Sequence, residues 1–153
     1  MEVYRITREK YAADLTGEGA RLYGGRWNRP GVAALYTSEA RSLALLELLV
    51  HFNSAAALKM KYVFITLTLN EKDVETLDRK YLKKGSTNFN DESLWQLTDD
   101  FFINKNILAL RVPSVIIPQE YNIIINPAHS KMKHIEIIQK ENADIDMRLV
   151  SNI

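Results

Sequence analysis

The chain has no cysteine and only three histidines in 153 residues. The first absence excludes disulfides and thiolate metal sites, and the second argues against a zinc centre. Charge of one sign is lacking too: twenty Lys and Arg stand against nineteen Asp and Glu, a formal net charge of +1. That balance supplies no global field to gather nucleic acid or a membrane surface. No hydrophobic run approaches membrane-spanning length, and the opening MEVYRITREK carries no apolar signal segment, so the expected location is cytoplasmic. Linkers, internal repeats and low-complexity tracts are missing as well. With 46% hydrophobic and 25% charged residues, the expectation is one domain, 1–153, with a core of ordinary size.

What the chain does have is an acidic side chain where packing would ordinarily put leucine. Ser38 followed by Glu39 reads as a helix start, a hydroxyl cap and then an anion near the positive end of the dipole, and the helix is expected to run to about Phe52. At helical spacing Leu43, Leu45, Leu46, Leu48, Leu49, Val50 and Phe52 cover most of its circumference, the pattern of a helix buried on nearly every side. Ala40, Ala44, Glu47 and His51 form the one different stripe, two small residues beside two ionisable ones. A carboxylate in such a helix needs donors or a changed protonation state. Periodicity alone leaves two readings in balance: Glu47 paired with His51 at a solvated edge, or Glu47 in the wall of a pocket.

Upstream, Val3 to Thr7 alternates as a strand with Arg5 projecting opposite Tyr4. Tyr11 to Gly19 reads as a loop containing a helical turn. In Tyr23-Gly24-Gly25-Arg26-Trp27-Asn28 the adjacent glycines imply close backbone approach, and Asn28 to Gly31 has the composition of a turn. The glycine spacing fits neither a Walker motif nor a dinucleotide fingerprint. Pattern alone favours a hairpin with Trp27 plugging the core over a loop lining a ligand pocket with Tyr23 as an aromatic platform. Val32 to Tyr36 is expected to be a short strand.

Downstream, Tyr62 to Leu69 is a clear half-buried strand, and 70–90 reads as loop and short helix. A helix starts at Asp91-Glu92-Ser93, packs through Leu94, Leu97, Phe101 and Phe102, and ends at Asn104 to Asn106. The last third is β-rich. Expected strands include an apolar one bracketed by Pro113 and Pro118, Tyr121 to Asn126, His134 to Gln139, and a last one within Ala143 to Val150. A buried helix early and strands clustered late argue for an α+β fold, a compact domain with a mixed or antiparallel sheet core and flanking helices, over a parallel βαβ arrangement.

Several separated motifs in this order resemble the RES domain family: Tyr4-Arg5-Ile6, Gly17-Glu18-Gly19-Ala20-Arg21, Gly24-Gly25-Arg26-Trp27-Asn28, Tyr36-Thr37-Ser38, Leu43 to Glu47, His51, Val112-Pro113-Ser114 and Asn126-Pro127-Ala128-His129. That family comprises toxins of bacterial type II toxin-antitoxin modules. The resemblance implies an ADP-ribosyltransferase-like fold, NAD as substrate and no separate cofactor. The implied reaction is hydrolysis or phosphorolysis of the bond between nicotinamide and ribose, with ADP-ribose transfer to a protein as the alternative. The implied partner is an Xre-like antitoxin that fills the cleft, with DNA engaged only indirectly, in a homodimer or a toxin-antitoxin hetero-oligomer. A non-catalytic or nucleic-acid-acting module is the third class, disfavoured by the near-zero net charge.

By this resemblance the family arginine, glutamate and serine fall on Arg5, Glu47 and Ser114, and its pocket tyrosines on Tyr23 and Tyr36. Glu47, Arg5 and Tyr36 are the expected catalytic residues. Tyr23, Ser114, Arg26 and Asn28 are the expected substrate-binding set, Arg26 and Asn28 with the alternative role of only fixing the loop, and no metal is expected. Glu47 would stabilise the cationic ribose, Arg5 would hold the pyrophosphate, the tyrosines would stack on nicotinamide, and Ser114 would donate to phosphate or ribose. His51 is assigned to structure or to orienting Glu47. The chain departs from the family pattern between Lys72 and Asn106, where Thr98-Asp99-Asp100-Phe101-Phe102 stands in place of a glycine followed by a tryptophan.

Overall fold

The computed structural model describes residues 1–52, 55–81 and 91–150. Its frame is a sheet of seven strands: β1 (Glu2–Arg8), β2 (Leu35–Ser38), β3 (Tyr62–Thr68), β4 (Val74–Thr76), β5 (Ala109–Pro113), β6 (Tyr121–Ile125) and β7 (Glu136–Asn142). In space they run β4-β5-β6-β2-β1-β3-β7. Only β4 and β5 pair in parallel; every other neighbouring pair is antiparallel. Four helices flank the sheet: α1 (Glu18–Tyr23), α2 (Arg41–Leu49), α3 (Ala55–Leu58) and α4 (Glu92–Asp99). The architecture is the expected α+β one.

Alternation along the strands separates two faces. Val3, Val63, Ile65, Leu67, Leu35, Ile123 and Ile125 fill one core, capped by Leu69, Leu108 and Ile135. On the other face Trp27, Leu110, Val112 and Ile124 pack against Leu94, Phe101 and Phe102 of the α4 region. Leu49, Phe52 and Tyr62 form a third cluster toward the C-terminal segment, with Ala143 and Val150.

One seam in this sheet matters for everything that follows. β1 pairs with β3 along its whole length and β2 with β6 at all four of its residues, yet β1 and β2 share one paired position, Tyr4 opposite Ser38. Beyond it the two strands part, and the sheet opens between them.

Several expectations are corrected. Ser38 does not cap the helix: it ends β2, and α2 begins at Arg41 after an extended Ala40 with no side-chain cap. The expected strand Val32 to Tyr36 is accordingly displaced to Leu35–Ser38. Only Leu43, Ala44 and Leu49 of α2 are buried, because one side of the helix borders open space rather than core. No strand lies between Pro113 and Pro118. There the Ser114 hydroxyl captures the backbone N–H groups of Ile116 and Ile117, at 3.0 and 3.1 Å, forming a turn that takes them out of any ladder.

Ala143 to Val150 holds a 3-10 turn at Met147–Leu149 and no strand. The polar Val74–Thr76, read as loop, is β4, recruited by backbone pairing with β5. The neighbouring parts of that expected loop and short helix hold 3-10 turns at Glu71–Asp73 and Arg79–Tyr81, and 82–90 lies outside the described residues. α4 begins as expected, with the Asp91 carboxylate accepting from Ser93 N at 3.0 Å. It closes in a π-helical turn, Asp100–Asn104, that seats adjacent Phe101 and Phe102 in the core where the family pattern is broken. Among the described residues no helix is long and apolar enough to cross a membrane.

Candidate active site

The opening between β1 and β2 continues into a cleft of about 500 Å³, a volume within the range that holds small molecules. Its walls come from β1, β2, α1 with the loop after it, α2, the end of β5 with the turn after it, and β6 through Asn122. Arg5, Tyr23, Arg26, Tyr36, Glu47 and His51 all line it. The sheet's parting explains how Tyr4, Arg5 and Ile6 do so together, although strand alternation puts Arg5 on Val3's side. Ala44, Glu47 and Leu48 of α2 face the space, with His51 just beyond the helix end, so the stripe read from periodicity is a pocket wall; Ala40 lies outside it.

The Glu47 carboxylate is held from the far strands. Ser114 Oγ donates to Glu47 Oε1 at 2.9 Å, and Asn122 Nδ2 donates to the same oxygen at 2.6 Å. Since the Ser114 oxygen already accepts two backbone N–H groups, its single proton is committed to Glu47. Ser114 is buried and does not border the cleft. It therefore orients the carboxylate, in place of the expected direct donation to phosphate or ribose.

Asn122 escaped the sequence reading. It stands directly opposite Ser38 in the β2–β6 register, and its Oδ1 accepts from Ser38 Oγ at 2.6 Å. The available signal was a lone asparagine, a residue depleted in strands, inside Tyr-Asn-Ile-Ile-Ile.

The opposite wall is the glycine loop. Asn28 is 0% exposed, and its Nδ2 donates to the carbonyls of Ala20 and Val32, both at 2.8 Å. Its Oδ1 accepts from the Tyr36 hydroxyl at 2.8 Å, and that hydroxyl in turn accepts from Trp27 N at 3.0 Å. Asn28 thus pins the loop and Tyr36 instead of reaching substrate as expected. Burial pushes the Tyr36 pKa well above its ordinary value, opposed only in part by the backbone N–H groups of Trp27 and Asn28, so the hydroxyl stays protonated and its ring is a fixed wall.

Gly25 is dictated by contact: a Cβ there would stand 2.5 Å from Tyr36 Oη and 2.9 Å from Asn28 Oδ1. Trp95 of α4, another residue the sequence reading missed, anchors the loop by donating Nε1–H to the Gly25 carbonyl at 2.8 Å. Trp27 is core, as pattern alone suggested, yet the loop around it also lines the cleft.

Two guanidinium groups border the space. Arg5 donates to the Asp14 carbonyl, and burial lowers its pKa while the Asp14 charge partly restores it. For Arg26 burial again lowers the pKa, against the opposing charges of Asp91 and Glu47. Arginine keeps its charge under such burial, so the cleft offers cations for an anionic ligand and one carboxylate, Glu47, in the same lining. Tyr23, 85% exposed, stands at the mouth as an uncommitted ring. Among the described residues no three acidic or histidine side chains gather as a metal site would require.

The chain as a whole is similar to known proteins. A "Toxin Res" of Photorhabdus laumondii is 34% identical over 153 residues, covering 98% of this chain and 97% of the relative. The "Prs ADP-ribosylating toxin" of a Sphingobium species is 32% identical over 143 residues, 91% of this chain and 88% of the relative. A chain in the crystal structure of the M. tuberculosis MbcT-MbcA toxin-antitoxin complex superposes with a TM-score of 0.73 at 20% identity, covering 93% of this chain and 83% of that one. At that identity the likeness shows a shared fold. The RES domain model matches residues 2–147, and this chain belongs to the RES domain family.

Proposed function

We propose that this protein is the toxin of a toxin-antitoxin pair and that it consumes NAD by cleaving the bond between nicotinamide and ribose. The observation that carries the reading is the cleft itself: a carboxylate fixed in its lining, Glu47 Oε1 held at 2.6 and 2.9 Å, with the guanidinium groups of Arg5 and Arg26 bordering the same space. When the glycosidic bond breaks, its electron pair leaves with neutral nicotinamide and positive charge grows on the ribose, so no proton is needed for departure. Glu47 stabilises that cation, and the apolar surroundings enlarge the effect by excluding water. Arg5 binds the pyrophosphate through paired donors, and Arg26 supplements it. Tyr36, immobilised by Asn28, and Tyr23 at the mouth hold the nicotinamide ring. Water or phosphate then attacks the anomeric carbon. NAD enters as substrate, and no other cofactor is invoked.

The name of the Sphingobium relative favours a second reading, in which a protein side chain replaces water as the nucleophile. Glycosidic cleavage is common to both. The experiment incubates purified protein with NAD, with and without phosphate and with candidate protein acceptors, and follows nicotinamide together with the fate of ADP-ribose. Free ADP-ribose or its 1-phosphate supports the first reading, and label on protein the second. Intact NAD under every condition refutes both.

The proposed partner is an antitoxin of Xre-like type that covers the cleft, a reading supported by the toxin-antitoxin complex in which the structural neighbour was solved. Co-expression should abolish NAD consumption; a complex that consumes NAD at the free protein's rate contradicts this.

A further inference from the structure

We propose that the two oxygens of Glu47 have separate tasks: Oε1 belongs to the protein, held by Ser114 and by an Asn122–Ser38 relay, while Oε2 is the oxygen offered to the ligand. Asn122 and Ser38 are then positioning residues. That the ligand is the ribose of NAD rests on the function proposed above; the division of the oxygens does not depend on it.

The hydrogen-bond chemistry admits one arrangement. A carboxylate only accepts, so the Asn122 atom at 2.6 Å from Oε1 is its NH₂ group. Its carbonyl oxygen must then face Ser38, also at 2.6 Å, and an amide oxygen only accepts, so the Ser38 hydroxyl donates. Ser114 donates to the same Oε1, its oxygen filled by two backbone N–H groups. Both lines of donors therefore end on one oxygen. Among the described residues none donates to Oε2, although Glu47 lines the cleft. Asn122 and Ser38 are also an adjacent pair on β6 and β2, held by four consecutive paired positions. Ser38 is in addition the one residue through which β2 still pairs with β1. The relay is thus built into the seam where the cleft opens, and it fixes the carboxylate before any ligand arrives, which is the condition for electrostatic stabilisation without reorganisation.

The test has an activity arm and one independent of activity. In the first, Ser38→Ala, Ser38→Thr, Asn122→Ala and Asn122→Asp are compared with wild type for nicotinamide release and thermal unfolding. Losing the Asn122 hydrogen bond to Glu47, or the Ser38 hydroxyl that orients Asn122, should lower kcat about ten- to a hundred-fold with little change in KM, as for an interaction that matters in the transition state. Ser38→Thr, which keeps the hydroxyl, should recover most of the loss. Asn122→Asp replaces the donor with a second carboxylate beside Glu47, and two such groups cannot both ionise easily. The acid limb of its pH-rate profile should move up by at least about one pH unit, while Ser38→Ala leaves the limb in place. Tyr4 and Arg5 of β1, Tyr23 of α1, Tyr36 of β2, His51 just after α2 and Arg26 of the glycine loop also face this cleft; they are unchanged in the variant, so the displacement belongs to the new carboxylate.

In the second arm, the side-chain amide protons of Asn122 are followed by ¹⁵N NMR in wild type, Ser38→Ala and Glu47→Gln. A downfield, slowly exchanging proton that shifts in both variants is expected. An Asn122 amide indifferent to Glu47→Gln overturns the proposal, as does an Asn122→Asp variant with wild-type kcat and pH profile. Activity losses that merely track thermal destabilisation overturn it too. If wild type itself releases no nicotinamide, the NAD reading falls, and the amide resonance still decides the assignment of the oxygens.

Discussion

At the residue scale the account turns on what surrounds Glu47, and replacing it by alanine or by glutamine should separate fold from function. Glu47→Ala leaves the Ser114 hydroxyl and the Asn122 amide without an acceptor. Leaving buried donors unsatisfied costs about 1–3 kcal/mol, a fall in Tm of several degrees for a chain of this length. In Glu47→Gln the amide oxygen takes the place of Oε1 and accepts both bonds, so stability should stay within about 1 kcal/mol of wild type. The NH₂ group must then take the place of Oε2, which turns the acceptor facing the cleft into a donor. Nicotinamide release should vanish in both variants, while thermal unfolding distinguishes them. Equal Tm values for the two would show that Ser114 and Asn122 are satisfied in some other way.

At the element scale the glycine loop is a wall whose shape is set by contacts that no local rule displays. Gly25→Ala puts a methyl group into the Tyr36–Asn28 hydrogen bond, so one of the two side chains must move. The expected cost is about 1–3 kcal/mol, with a loss of NAD affinity as Tyr36 shifts. Gly19→Ala, in the helix that precedes the loop, is the control: its Cβ meets nothing within 4 Å, and inside α1 alanine should stabilise by about 0.5–1 kcal/mol. Thermal unfolding of the pair checks both signs.

The same elements show how far sequence reasoning reaches. The stripe on α2 was legible because helical periodicity is local, and it does face the cleft through Ala44, Glu47 and His51. Even so, periodicity alone left Glu47 divided between a solvated edge and a pocket, and only the family resemblance moved it. Asn122 and Trp95 were not legible. Their roles depend on β6 lying beside β2 and on α4 reaching Gly25, 70 residues away in sequence. Ser38 was misread because a serine before an acidic residue suits a helix cap, whereas its strand partner Asn122 claimed the hydroxyl first. Ser114 and Asn28 were found by resemblance but given substrate contacts, since a motif names residues without saying which way they point.

At the scale of the whole molecule, the cleft exists because the sheet is joined at one position. On one side of the seam β1, β3 and β7 carry Arg5; on the other β4, β5, β6 and β2 carry Asn122 and Tyr36, with Ser114 following β5. α2 follows β2 and lies against β1, and its Arg41 reaches across to Glu141 of β7 at 3.0 Å. This brings Glu47 over the seam. A chain with a net charge of +1 gains little long-range attraction for its ligand, so recognition must come from the cleft's own guanidinium groups and rings.

The most direct test of that claim is nicotinamide release by wild-type protein and by Glu47→Gln, each saturated with NAD as judged by a separate binding measurement. The account predicts that both bind NAD, that wild type turns it over, and that Glu47→Gln, folded and occupied, does not. Turnover by Glu47→Gln at the wild-type rate would contradict it.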